Sequence, residues 1–306
     1  MKRLFIIGNG FDRAHNLPTR YIDYRNFLKN SSENDRFCMQ MENTYGIRED
    51  DEYWWSDFET NLGEGSNFEI EFEAMANSAV DDMVTDEGEE MYDIEETLRY
   101  HFEPYYNFMN KLNGTVLEWV ESIDITKVKQ IFHKLENKEN YFFTFNYTQV
   151  LEKVYDIPGD RICHVHGSAR EGRVIMGHGN LNSIEKYRKE AEEKSKKLDK
   201  NGAEISNGIY EFYLASFKNT ESIIEWNRIE MKKYYGIEEV HVFGHSLGKV
   251  DMPYYQEIKK CISNKANWYF YIYNETEQNV LNKIGDLKIE DQYIHILSSE
   301  NFAHFN

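Results

Sequence analysis

Four short stretches of the chain hold residues whose types and spacing suit chemistry on a nucleotide. Gly8-Asn9-Gly10-Phe11-Asp12 places two glycines where backbone must turn tightly and let a phosphate approach exposed N–H groups. Arg13 stands where the third glycine of a G-x-G-x-x-G fingerprint would fall, and a glycine pair also serves a plain strand-to-helix turn. Asp12 can cap the helix that follows, or anchor a ribose or a nicotinamide amide. Asn146 and Thr148, in Thr144-Phe145-Asn146-Tyr147-Thr148, suit the carboxyl edge of a sheet, where an amide holds a water or a sugar hydroxyl. Capping of the helix that starts at Val150 is the alternative for both.

Cys163-His164-Val165-His166-Gly167-Ser168 puts two histidines at period-two spacing, on one face of a strand, with Gly167 turning the chain behind them. At the sheet edge His166 could serve as a general base, since an unperturbed imidazole pKa of about 6.5 is matched to neutral pH. A hydrogen-bonded core histidine is the other reading. A metal fits poorly, because no carboxylate or cysteine lies at a recognised ligand spacing, although His178 in Gly177-His178-Gly179 could approach in space. The fourth stretch is Gly244-His245-Ser246-Leu247-Gly248. Its Ser246 either caps a helix and meets a ribose, or forms the elbow of an α/β-hydrolase esterase, with Asp286 or Asp291 and His295 or His304 completing a triad. Pro253 follows the serine too closely for the long helix that such an elbow feeds, which argues against the esterase.

These groups need a sheet to hold them. Apolar runs rich in β-branched and aromatic residues occur at Leu4 to Ile7, Tyr141 to Phe145, Ile162 to His166, Val174 to Met176, Val240 to Phe243, Trp268 to Tyr273 and Tyr293 to Leu297. Consecutive rather than alternating apolar positions mark strands covered on both faces, and the intervals accommodate helical crossovers. The expected fold is α/β, a Rossmann-like doubly wound parallel sheet with helices on both faces. Residues 31–112, with a diluted acidic run from Asp81 to Glu90, and residues 181–236, with a charged helix from Glu190 to Lys200 and amphipathic segments carrying Phe212, Phe217, Ile224 and Trp226, read as helical insertions. The chain is therefore expected to be one domain, 1–306, with two insertions.

The 306 residues are 41% hydrophobic and 15% aromatic, enough to build a core despite 29% charge. A net charge of −19 opposes broad binding to nucleic acid. Cys38, Cys163 and Cys261 are odd in number and far apart, which points to a reducing compartment and no structural zinc. The apolar segment after Met1-Lys2-Arg3 is too short for a signal sequence, and no run is long enough to span a membrane, so a cytoplasmic protein is expected.

Gly8 to Asp12, His15-Asn-Leu-Pro-Thr19 and Tyr21-Ile-Asp-Tyr24 resemble the start of the bacterial AbiH abortive-infection family. The ordered set Gly8-Asn-Gly10, Thr144-Phe-Asn146 with Leu151-Glu152, His166-Gly167, Gly244-His-Ser246-Leu247 and Asn274 resembles the sirtuin-like superfamily. That resemblance implies NAD as ligand and substrate, with Gly8 to Asp12, Thr144 and Gly244 around it. Asn146 would position the nicotinamide ribose and the attacking water, His166 would be the base, and Ser246 and Asn274 would hold the distal half of NAD. Sirtuin deacetylases carry a zinc ribbon after the His-Gly pair, where this chain has the stretch 181–236, and an aspartate where it has Thr148. Both departures point away from deacetylation and towards cleavage of the nicotinamide–ribose bond with water. The resemblance thus implies an NAD hydrolase of antiphage defence, with no metal, responding to a phage-derived or host trigger and compatible with a homo-oligomer. A protein that senses NAD or ADP-ribose without cleaving it is the alternative.

Overall fold

The computed structural model describes residues 2–48, 51–64, 66–81, 107–133, 135, 137 and 139–304. Strands follow in chain order as β1 (Arg3–Ile7), β2 (Tyr141–Thr144), β3 (Ile162–His164), β4 (Gly167–Ser168), β5 (Arg173–Val174), β6 (Glu239–Phe243), β7 (Asn267–Ile272) and β8 (Ile294–Ser298). Six of them join one sheet in the order β3-β2-β1-β6-β7-β8, and every pairing in it is parallel. The order runs outward from β1 to β3 on one side, then reverses, so the switch point lies between β1 and β6. That is the strand order of a doubly wound, Rossmann-like α/β sheet.

The unbroken apolar runs follow from burial on both faces. Leu4 and Ile6 of β1 enter one core cluster with Val240, Val242, Trp268 and Phe270, packed by Tyr254, Tyr255 and Ile258 of the helix Met252–Cys261. Phe5 and Ile7, on the opposite face, join Phe142, Leu151, Tyr155 and Phe302. Neither face of β1 meets water, so alternation carries no advantage there. On the second face one ring from each of five strands stacks on the next: Phe142, Phe5, His241, Tyr269 and His295, with centroids 5.2, 5.0, 4.8 and 4.6 Å apart and planes within 18° of parallel. Each pair in this ladder is also a register pair of the sheet. Burial pushes His241 down to about 4, so it stacks as an uncharged ring.

Two strand expectations change. The run Val174 to Met176 is not part of the parallel sheet; β5 stops at Val174 and pairs antiparallel with β4. A parallel neighbour would need a crossover of a dozen residues, and the link from Ser168 to Arg173 is a tight reversal through Gly172 at φ +64. The run Ile162 to His166 ends as a strand at His164. His166 lies beyond it, so the two histidines do not share a strand face.

The chain divides into two compact units, one made of Met1–Arg20, Val116–Ile175 and Asn219–Asn306, the other of Tyr21–Thr115 and Met176–Lys218. The first holds the sheet. In the second, both helical stretches belong to one body: Tyr213 donates to Glu69, the Asn180 amide to the Gly63 carbonyl, and Phe108 packs on Phe212. The stretch expected over 181–236 leaves this body at Lys218, because the helix Thr220–Met231 sends Ile223, Ile224 and Met231 into the sheet core. Trp226, expected on an apolar face, is 66% exposed. The charged run is a helix, Leu181–Lys196, that turns at Leu198 into a second, Lys200–Ala215. The acidic run expected from Asp81 to Glu90 lies, beyond Asp81, outside the described residues.

Lys218 is buried in the helical unit, with Nζ 2.6 Å from Glu59, which also accepts from the Tyr21 hydroxyl. Removing one member of a buried pair leaves the other charge uncompensated. Lys218→Met is therefore expected to lower unfolding free energy by about 3 kcal/mol in urea titration. The double variant Lys218→Met, Glu59→Leu should recover most of that loss.

Candidate functional site

Because the sheet is parallel, the segments that follow its strands emerge on one edge. Gly8 to Asp12 follow β1, Asn146 follows β2, His166 follows β3, Gly244 to Ser246 follow β6, and Asn274 follows β7. All the candidate residues lie in the sheet unit.

The loops after β1 and β6 touch backbone to backbone at the switch point. Gly8 N donates to Phe243 O (3.0 Å) and Gly10 N to Gly244 O (2.8 Å). A Cβ on Gly8 would meet Gly244 O at 2.6 Å, one on Gly10 would meet Gly244 Cα at 2.5 Å, and one on Gly244 would meet Phe11 N at 2.5 Å. The glycines are thus required by this contact itself, and the amides of Gly8 and Gly10 are used inside the protein. Phe11 is fully buried among Phe132, Tyr155 and Phe243. The Asn9 side chain donates to Thr19 O and makes no helix cap.

Asn146 is set against this contact. Its backbone N–H donates to Thr144 Oγ1 (3.1 Å), while its side-chain Nδ2 donates to Gly8 O (3.1 Å). Its carbonyl meets His164 Nδ1 at 2.9 Å. With Nδ2 committed to a carbonyl, the amide has one orientation, and among the described residues none donates to its Oδ1. Asn146 therefore presents a fixed acceptor at the sheet edge. Neither Asn146 nor Thr148 caps the Val150–Lys153 helix.

Thr148 instead donates to Asp12 Oδ2 at 2.7 Å. Asp12 is 2% exposed and its Oδ1 has no hydrogen-bond partner. The Asn146 amide lies beside it without reaching it in hydrogen-bonding geometry. Burial pushes the Asp12 carboxyl up to about 7, against the lowering influence of Thr148, Asn146 and the charge of His164. Thr148 thus holds a carboxylate contributed by the segment that follows β1.

His164 is a hub beneath Asn146. Its Nδ1 donates to the Asn146 carbonyl, which can only accept, and its Nε2 lies 3.0 Å from Glu152 Oε1. Both ring nitrogens are therefore engaged. His166 has a different neighbourhood: its Nε2 shares a hydrogen bond with the Tyr254 hydroxyl (3.1 Å), and its ring packs on Phe145, the residue before Asn146. His245 completes the aromatic group, with its ring 4.1 Å from Phe145. Its Nδ1 accepts from Leu247 N, so Nε2 carries the proton and faces Asp251 Oδ2 at 3.2 Å.

Ser246 and Asn274 are exposed. Lys283 bridges their loops, bonding Ser246 O and Glu275. Ser246 caps no helix: the residue preceding the next helical turn is Gly248. The esterase triad is not assembled through His295, which is level with His241 in the sheet register and bonded to Asn267 Oδ1, five positions short of Ser246 along the strand direction. His178 has both ring nitrogens engaged in the helical unit, by Asn180 N and by Tyr213 O with Ser216 Oγ. Among the described residues no group of three or more His, Cys, Asp or Glu side chains could hold a metal. Burial pushes the Cys163 thiol up to about 12, which removes it as a nucleophile.

Glu152 belongs to the Leu151-Glu152 pair already noted, but its partnership with His164, that of Tyr254 with His166, and the His245–Asp251 pair are contributions the motifs do not single out. His245 carried a signal, since it lies inside the glycine-flanked stretch; Tyr254 and Asp251 carried none.

Among the described residues no helix is long and apolar enough to cross a membrane. No curated protein and no solved structure matches the chain. The family model for bacteriophage abortive infection AbiH matches residues 4–273, which takes in β1 from Leu4, β2 through β7, and every candidate residue up to the end of β7. The chain belongs to the AbiH family and, with it, to the proteins of bacteriophage abortive infection.

Proposed function

We propose that the chain is a sirtuin-like NAD hydrolase, cleaving the nicotinamide–ribose bond with water as acceptor in abortive infection. The observation that carries this reading is Asn146: its amide is locked by Gly8 O, so Oδ1 is held ready to accept from a water or a ribose hydroxyl. In the reaction the C–N bond breaks with its electron pair leaving on nicotinamide, a neutral pyridine. Water adds to the ribose carbon and gives up a proton. Asn146 orients the water, and His166, fixed by Tyr254, takes the proton. The need is for orientation and for stabilising an oxocarbenium-like ribose, which a fixed acceptor and a buried polar cluster supply. Ser246 and Asn274, exposed on adjacent loops, suit the distal half of the dinucleotide.

The test is a product profile. Purified protein incubated with NAD should release nicotinamide and ADP-ribose, followed by chromatography, and should leave a simple ester intact. His166→Ala is expected to lower the turnover rate about 100-fold. Ser246→Ala should raise KM a few-fold with kcat kept, the mark of binding that is equal in ground and transition states. Because a defence enzyme that destroys a central cofactor needs a trigger, the same comparison belongs in phage-challenged cells. An NAD pool that stays constant in cells the chain protects would overturn the hydrolase reading and leave NAD sensing in its place.

A further inference from the structure

We propose that Asp12 is the counter-charge of this site: when ionised it stabilises a positively charged ligand group held at Asn146, so the pyridinium form of NAD is preferred over its uncharged dihydropyridine form. The proposal rests on the NAD reading above and adds to it a charge preference and the residue that sets it. Asp12 does not touch the ligand; it acts through space and through Asn146, as a positioning residue.

Three observations support it. Asp12 is 2% exposed, and only one of its oxygens is paired, by Thr148, while Oδ1 has no partner. A buried carboxylate with a bare oxygen is under-solvated in the resting protein, which is the cause of its upward shift to about 7. The other titratable groups around it are engaged by partners of their own. His164, from β3, is bonded to Glu152, from the helix after β2, and its influence on Asp12 is smaller than that of burial. His15, next to Asp12's own helix, has both nitrogens engaged, by Phe11 O and the Tyr155 hydroxyl, and burial lowers its pKa. Asp12 itself changes from neutral when protonated to −1 when ionised, with one oxygen still unpaired.

A cation at Asn146 gives that charge its partner. Bound pyridinium favours the ionised form, so binding should drive a proton off Asp12, and affinity should rise with pH through about 7. The phosphates of the two redox forms are the same and cancel from the comparison. The same charge favours the oxocarbenium-like ribose that develops as nicotinamide leaves.

The experiment measures binding of NAD and of reduced NAD to the intact chain by calorimetry between pH 6 and 8, in the His166→Ala background to suppress turnover. NAD affinity is expected to rise about tenfold over this range, as the ionised fraction of Asp12 grows from about a tenth to about nine tenths, while reduced NAD changes less than twofold. Asp12→Asn should flatten the NAD profile. Thr148→Val, which strips the paired oxygen and leaves the carboxyl in place, should move the inflection to higher pH. Parallel pH profiles for the two redox forms, or a tenfold rise that persists in Asp12→Asn, overturn the counter-charge while leaving NAD binding standing. Failure of both forms to bind at any pH overturns the NAD reading and the counter-charge with it.

Discussion

Asn146→Ala is expected to cut nicotinamide release from NAD by about 100- to 1,000-fold while the protein stays folded. The side chain makes one hydrogen bond within the fold, from Nδ2 to Gly8 O, and its loss costs about 1 kcal/mol of stability. Removing a preorganised group that orients the reacting water costs far more in rate than in stability, and that gap separates a functional residue from a structural one. Asn146→Asp sharpens the comparison. It keeps the shape but replaces the donor to Gly8 O with an acceptor and adds a second carboxylate beside Asp12, so it should be both less stable and inactive. Circular-dichroism melting beside single-turnover nicotinamide release reads both quantities. A variant with Ala at this position that turns over at the wild-type rate removes Asn146 from the chemistry.

Gly244→Ala is expected to cost about 3–5 kcal/mol, a large part of the roughly 5–15 kcal/mol that holds an ordinary domain together. Two penalties add. The residue sits at φ +70, where a side chain is strained, and its Cβ would stand 2.5 Å from Phe11 N, with Gly10 backbone at 2.7 Å. Those neighbours are backbone and cannot swing aside. Gly172→Ala is the control, since Gly172 has φ +64 but nothing within 4 Å of the added carbon. It should cost about 1 kcal/mol, the strain alone. Urea unfolding of the two variants separates backbone conformation from close approach. Equal losses would mean that the contact between the β1 and β6 loops yields easily.

The sheet was legible because β1, β2, β6 and β7 are buried on both faces, which leaves a continuous apolar run in the sequence. Where a strand is short or local geometry intervenes, the pattern fails. His164 and His166 share a two-residue period, yet β3 ends between them and sends them to Glu152 and Tyr254. The glycines were legible as a special loop, but their cause was not: a spacing cannot distinguish room for a phosphate from room for another strand's loop. Asp12 and Thr148 lie 136 residues apart, and each reads in the sequence as an ordinary helix cap. Only the fold shows that they face each other. Likewise, Trp226 has the composition of a core position and lies on the outer side of a helix whose core contacts are made by Ile223, Ile224 and Met231.

The stacked rings from Phe142 to His295 bear on how the sheet finds its pairing. A strand displaced by one residue turns its ring to the opposite face, and the rings on either side lose a neighbour at once. Errors of alignment are thus penalised jointly across five strands rather than pair by pair. The chain, whose sheet strands are separated by long helical excursions, carries its own proofreading of strand alignment in a row of aromatic side chains.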